Sequence, residues 1–305
     1  MPTTSPPPTQ FATLSFPTPQ ILLVTLCRPA ALNSINSAGH HELHAVWTWM
    51  DKEPSIRVGV LTGQGRAFCA GADLKGALHT YPENGTPPNP PPPKPNPIPP
   101  PTGFGGLSRR SGKKPIICAV NGLCLGGGCE MILNADVVIA SRTAFFGLPE
   151  VQRGVVAWAG ALPRLVRTVG RQRAMEMALT GRRVDAVEAE RWGFVNEVVG
   201  DDYPGQSQSQ SQFHATATTT TTGSGTGGAV VRRAVEVAGM IAANSPDSVV
   251  VSREGVKLGW ELGAEEASRV LVEEWGVKVG EGENVKEGLR AFVEKRKPRW
   301  VDSKL

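Results

Sequence analysis

The sequence predicts an α/β fold with a largely buried sheet, because short apolar, β-rich runs alternate with helical patterns and each run stops at a turn signal. Ile21-Leu22-Leu23-Val24-Thr25-Leu26 is the first such run; it leaves into Arg28-Pro29 and reads as a buried strand. His40 to Met50 has a helical pattern, and Arg57-Val58-Gly59-Val60-Leu61-Thr62 is the next strand, ending at Gly63. Ile116 to Val120 reads as a third strand ahead of Asn121-Gly122, and Asp136 to Ala140 as a fourth, behind a short helix that carries Glu130.

Two segments interrupt this alternation. Proline is so dense from Pro82 to Pro101 that helix and sheet are excluded and an exposed polyproline II insertion is expected, either as a solvated loop or as a ligand for a proline-binding module. Residues 201–228, Gln-, Ser-, Thr- and Gly-rich over most of their length, have almost nothing to bury and read as a flexible linker between a core of residues 1–200 and a helical region of residues 229–302. In that region Ala229 to Ala243, Val249 to Leu262, Ala264 to Trp275 and Glu287 to Arg296 have helical patterns, with Asn244-Ser245-Pro246 ending the first and restarting the second. Wide apolar faces without a sheet of their own predict packing onto a neighbouring subunit, hence a homo-oligomer, or back onto the core.

Composition narrows the function classes. With 305 residues and 40% hydrophobic side chains the chain buries a proper core, and a net charge of +4 without interleaved basic and aromatic residues gives nucleic-acid binding little support. No stretch is long and apolar enough to cross a membrane. The five cysteines, Cys27, Cys69, Cys118, Cys124 and Cys129, lack CxxC spacing and read as buried free thiols rather than metal ligands or disulfides. Residues 1–10 lack the features of a secretory signal or transit peptide. The final tripeptide Ser303-Lys304-Leu305 matches the address read by the peroxisomal import receptor, on a polar tail that begins near Pro298 and is expected to stay exposed.

Two glycine turns and two glutamates carry the chemistry. Gly65 to Lys75 follows the second strand directly, and its small residues leave the Ala72 N–H available to a ligand, although a tight turn alone also accounts for them. Gly126-Gly127-Gly128 opens the Glu130 helix, so its N–H groups sit at the positive end of a helix dipole. The spacing fits neither a phosphate-binding GxxxxGK[ST] nor a GxGxxG motif; a thioester oxyanion site and close helix-on-strand packing both remain open. Glu130 is a candidate acid or base, or a helix-dipole partner. Glu150, behind the apolar run Phe145 to Pro149, is a candidate carboxyl with a raised pKa.

The stretches Ala67 to Lys75, Ala119 through Glu130, and Phe146-Gly147-Leu148-Pro149-Glu150 resemble, in order and spacing, the signature of the crotonase superfamily, also called the enoyl-CoA hydratase/isomerase family. The likeness runs from Arg28-Pro29-Ala30-Ala31-Leu32-Asn33 to Ala291 through Lys297. It implies a crotonase-type spiral of ββα units with a C-terminal helical region that packs at subunit interfaces in a trimer or hexamer. It also implies an acyl-CoA thioester substrate, with no metal or redox cofactor and coenzyme A present only as part of the substrate. The Ala72 and Gly127 N–H groups would hold the thioester oxygen; Glu130 would hold and deprotonate a water, and Glu150 would protonate carbon. Ala70, Asp73, Leu74 and Lys75 would border the CoA, with Phe292 and Lys295 reaching its nucleotide; Lys75 also reads as a solvated helix-start residue and Phe292 as a core residue. Ala30 departs from the basic residue many relatives carry. Keeping both glutamates favours a 2-enoyl-CoA hydratase over a Δ3,Δ2 isomerase and over a non-catalytic RNA- or protein-binding homologue, with a hydratase/dehydratase of a specialised acyl-CoA in secondary metabolism as a further alternative.

Overall fold

The structure, a computed structural model, describes residues 2–74, 100–200 and 228–305. The predicted polyproline insertion, apart from Pro100 and Pro101, and the predicted linker, apart from Gly228, lie outside these residues.

β1 (Ala12–Thr18) and β2 (Ile21–Leu26) form an antiparallel hairpin in which Ala12 faces Leu26. α1 (Ser37–Lys52) starts at Asn36, whose side chain accepts from the Gly39 N–H and satisfies one of the unpaired donors of the first turn. It buries Leu43, Val46, Trp47 and Met50, a stripe at helical spacing. β3 (Val58–Gly63) lies parallel to β2, and β4 (Ala67–Cys69) follows after a tight turn. Further along come β5 (Ile116–Val120), β6 (Leu123–Leu125), α2 (Gly127–Ile132), β7 (Val137–Ser141) and β8 (Phe145–Gly147). α3 (Ala161–Val169), α4 (Arg171–Thr180), β9 (Val184–Asp185), α5 (Ala186–Trp192) and β10 (Glu197–Val199) complete this part.

The strands form two sheets, one ordered β1-β2-β3-β5-β7-β10 and the other β4-β6-β8-β9. Each of β3, β5 and β7 in the large sheet hands the chain to β4, β6 and β8 in the small one, and both trios are parallel. That repeated hand-over is the expected spiral of ββα units. It stacks the strand-to-strand turns at one end of the molecule. Two buried asparagines brace those turns: Asn121 donates to Gly65 O (2.8 Å) and accepts from Gly63 N (3.1 Å), and Asn33 donates to Ala67 O (2.7 Å).

Four helices follow the second undescribed segment together with one short helical piece: α6 (Gly228–Ala242), α7 (Pro246–Glu261), α8 (Ala264–Leu271), α9 (Val277–Gly280) and α10 (Glu283–Val293). α6 packs back onto the core: its Val230, Ala234, Ala238 and Ala242 cover Ile21, Val58, Val60, Ile117 and Ile139 on the outer face of the large sheet. α7 begins earlier than the pattern suggested, with Ser245 capping Ser248 and Pro246 in the first turn. α8 runs through a wide turn at Val272–Gly276 into α9, and α10 begins at Glu283 rather than Glu287. Beyond Pro298 the polar tail stays largely exposed, as at Val301, Asp302 and Lys304, yet it is anchored: residues 300–305 fold back against α6, α7 and α10 and are held by side-chain hydrogen bonds.

Candidate active site

Ala72 forms an isolated parallel bridge with Ile35, in which Ile35 donates to Gly71 O (3.0 Å) and accepts from Asp73 N (3.0 Å). In such a pairing the flanking residues make the bonds, so the Ala72 N–H points to the opposite side with no acceptor among the described residues. Gly127 is the first residue of α2, where an N–H has no intrahelical acceptor. The two turns are in contact: a Cβ added to Gly71 would lie 3.3 Å from Gly127 N. Two unpaired amides therefore sit side by side at the mouth of the spiral.

Each glycine of the triplet has its own reason. Gly126 has φ +55°, a left-handed conformation, and a Cβ there would lie 3.1 Å from Glu150 Oε1. A Cβ on Gly127 would strike the Phe104 ring, and one on Gly128 would strike Cys69 O. An unpaired amide and close packing are thus both present, in adjacent residues. Phe104, which sequence reading missed, is buried and packs edge-on against His40 with ring centroids 4.5 Å apart.

Glu150 lies against Gly126 of the glycine triplet, and Glu130 is close enough to Glu150 for their charges to interact. Glu130 is 2% exposed, and its Oε1 accepts from Ala159 N (3.2 Å). Burial pushes its pKa up to about 7; the Ala159 bond opposes that shift, the nearby Glu150 charge adds to it, and Arg164 opposes it. Glu150 sits in the short turn Pro149–Arg153, joined to the glycine triplet by the hydrogen bond from Gly126 N to Gly147 O (2.9 Å). Burial raises its pKa too, and its Oε2 is buried with no partner. A buried carboxyl oxygen costs free energy unless a partner such as a ligand or an ordered water meets it.

Other sequence candidates fare differently. Ala70 donates to Leu32 O (3.0 Å), and Asp73 pairs with Arg28 (2.9 Å), so both stitch the Ala72 turn to residues 28–35. Leu74 is exposed at the end of that turn, and Lys75 lies outside the described residues, as do residues 76–81 of the expected acyl pocket. Phe292 is 84% exposed at the end of α10, which overturns its alternative as a core residue. Lys295, with φ +53°, is exposed just beyond it, and neither residue contacts the glutamates. Cys69, Cys118, Cys124 and Cys129 are buried with raised pKa values, whereas Cys27 is only half-buried.

A two-sheet spiral with paired unsatisfied amides beside a buried and a half-buried carboxyl, Glu130 and Glu150, defines an enzyme of the crotonase fold. The chain belongs to the enoyl-CoA hydratase/isomerase family, whose family model matches residues 18–91 and 105–208. It is 49% identical, over 99% of both chains, to a mevalonyl-coenzyme A hydratase of Beauveria bassiana, and 39% identical, over 59% of this chain and 65% of the relative, to a probable enoyl-CoA hydratase of Rhizobium meliloti. Among solved structures, the enoyl-CoA hydratase EchA1 of Mycobacterium marinum superposes with a TM-score of 0.76 at 29% identity, covering 96% of this chain and 99% of that one. A carnitinyl-CoA hydratase of Mycobacterium avium gives 0.65 at 33% identity, covering 96% of this chain and 99% of that one.

Proposed function

We propose that this chain is an acyl-CoA hydratase that adds and removes water across the C2–C3 bond of a 2-enoyl thioester, and that its own substrate is a branched, hydroxylated acyl-CoA of the mevalonyl kind. The observation that carries the hydratase is the pair of carboxyls with raised pKa, buried Glu130 and half-buried Glu150, beside the free Ala72 and Gly127 amides. In hydration the ionised Glu130 takes a proton from water as its oxygen bonds to C3. Glu150 gives its proton to C2, and the thioester oxygen, negative in between, receives the two N–H groups. Donors fixed in advance for that charge contribute about 3 kcal/mol each. Dehydration reverses each transfer. The step is redox-neutral and uses only the chain's own carboxyls and amides, with coenzyme A entering as part of the substrate.

The choice of acyl group rests on the extent of the likeness: mevalonyl-coenzyme A hydratases match the whole chain, whereas the general enoyl-CoA hydratases match about three fifths of it. Incubation with 2-butenoyl-CoA, a 3-enoyl-CoA and a 3-methyl-5-hydroxy-2-enoyl-CoA, with products read by mass, tests both levels. A gain of water on the branched thioester above all others is expected. Double-bond shift without hydration would overturn the hydratase.

Further parts of the reading stand beside it. Leu74 and Lys75 flank the CoA, and Phe292 with Lys295 reaches the nucleotide from a neighbouring subunit in a trimer or hexamer. Exposed Val272, Val277, Leu289 and Val293 along the C-terminal helices support such an assembly. Ser303-Lys304-Leu305 supports import into the peroxisome. Light scattering and the location of a fluorescently tagged chain with a free C-terminus test the two.

A further inference from the structure

Residues 300–305 run back over the body of the protein. Trp300 Nε1 donates to Ala243 O (2.9 Å) and its ring lies on Gly288; the Val301 N–H and C=O both pair with the Asn284 amide (2.9 and 3.1 Å). Ser303 Oγ meets Asp247 Oδ1 (2.5 Å), Lys304 Nζ meets Glu283 Oε1 (2.5 Å), and Lys113 Nζ donates to an oxygen of Leu305 (2.8 Å). Leu305 borders a cleft of about 570 Å³ whose walls carry Lys52, Arg57, Lys113 and Lys114, with Ile241 and Val250 as its apolar part. Of these cations Lys113 is the one that reaches Leu305, whereas Arg57 donates to Ala242 O and pairs with Asp302, Lys114 donates to Met50 O and Glu53 O, and Asp51 also lines the cleft. The cleft is built from the C-terminal end of α1, the start of β3 and the α6–α7 junction, whereas Ala72 and the glutamates lie beyond the opposite end of β3.

We propose that the surface beside this cleft, formed by Lys113, Ala243, Asp247, Glu283 and Asn284, is a dock for the chain's own C-terminal segment, and that docking and reading of Ser303-Lys304-Leu305 by the import receptor are mutually exclusive. The proposal rests on the reading of that tripeptide as an import address. The hydroxyl of Ser303, the ammonium of Lys304 and the terminal oxygen of Leu305 are each already engaged, so a partner that grips them must first displace the dock. The contacts of Lys304 and Lys113 are exposed and individually weak, which makes the tail releasable rather than locked. A partner that binds only the released tail has its apparent affinity reduced by the released fraction; with one molecule in ten released, the loss is about tenfold.

The test compares binding of the receptor's peptide-binding domain to the full folded chain and to a free peptide of residues 296–305. The free peptide is expected to bind about tenfold more tightly. Lys113→Ala combined with Glu283→Gln is expected to close that gap while leaving thioester hydration unchanged, since neither residue belongs to the catalytic site. Equal affinity of folded chain and peptide overturns the dock, as does a gap that the double variant leaves intact. A free peptide that does not bind overturns the address itself, and the dock as its gate, and is distinguishable from both of those results.

Discussion

Replacing Glu130 by Gln removes a proton-transfer group and, by the same stroke, relieves a buried charge. In the unfolded chain this carboxyl loses its proton near 4.5, whereas in the fold burial holds the proton up to about 7. Between those values unfolding releases a proton, so the stability present at low pH is lost as the pH rises from 4.5 towards 7, and the deficit is complete above 7. Gln keeps an oxygen for the Ala159 N–H and cannot ionise, so it escapes this loss. A shift of that size corresponds to a stability advantage of the variant that grows by about 2–3 kcal/mol between pH 5 and pH 8. Denaturant unfolding of both proteins at the two pH values reads the difference, and hydration of the thioester should fall by at least about 10²-fold at neutral pH in parallel. A stability difference that stays flat with pH would refute the buried, proton-retaining Glu130, and full hydration activity would refute its role with water.

Four further outcomes follow from the same geometry. Glu150→Gln, which keeps the shape of the only carboxyl with an unpartnered buried oxygen among the described residues, should lower kcat by about 10²–10⁴-fold with little change in KM; retained turnover would remove it from the chemistry. Gly127→Ala drives a Cβ into Phe104 and should cost about 10²–10³-fold in kcat, with part of the loss restored when Phe104 is also shortened to Ala; no restoration would mean the ring does not set the position of that amide. Asn121→Ala strands Gly63 N and Gly65 O and should destabilise the fold by about 1–3 kcal/mol in chemical unfolding, a value near zero showing that the turn holds without it. The pH–rate profile should have both limbs displaced upward from ordinary carboxyl values, with the two apparent constants belonging to the pair; a profile flat from pH 4 to 9 would exclude titration of either group from the step.

How much of this was readable in advance depends on length and distance. β2, β3, β5 and β7 run five or six residues with apolar or β-branched side chains, enough for a pattern to show, and α1 buries a regular stripe. β4, β6 and β8 have three residues each, too few to carry a period, and exist because each pairs with its neighbour in the spiral. α3 and α5 were legible as amphipathic turns but passed unassigned. Glu130, Glu150 and the glycine triplet stood out as residue types, while their meeting depends on the Gly126–Gly147 hydrogen bond, which no local signal announces. Ala159 contributes only a backbone N–H, and Phe104 matters through one face of a ring, so neither left a mark in the sequence. The tail is solvated as its polar residues suggest, but its anchoring was not legible because its partners at Lys113, Asp247 and Glu283 are distant along the chain.

Because Gly126 N–H donates to Gly147 O, the turn that carries Glu150 is tied directly to the turn that carries Gly127. Side chains around that bond are then exchangeable without altering the spacing between the Glu150 carboxyl and the Gly127 amide. Such a layout lets the mouth of the enzyme drift in shape over generations while the distance on which the chemistry depends stays unchanged.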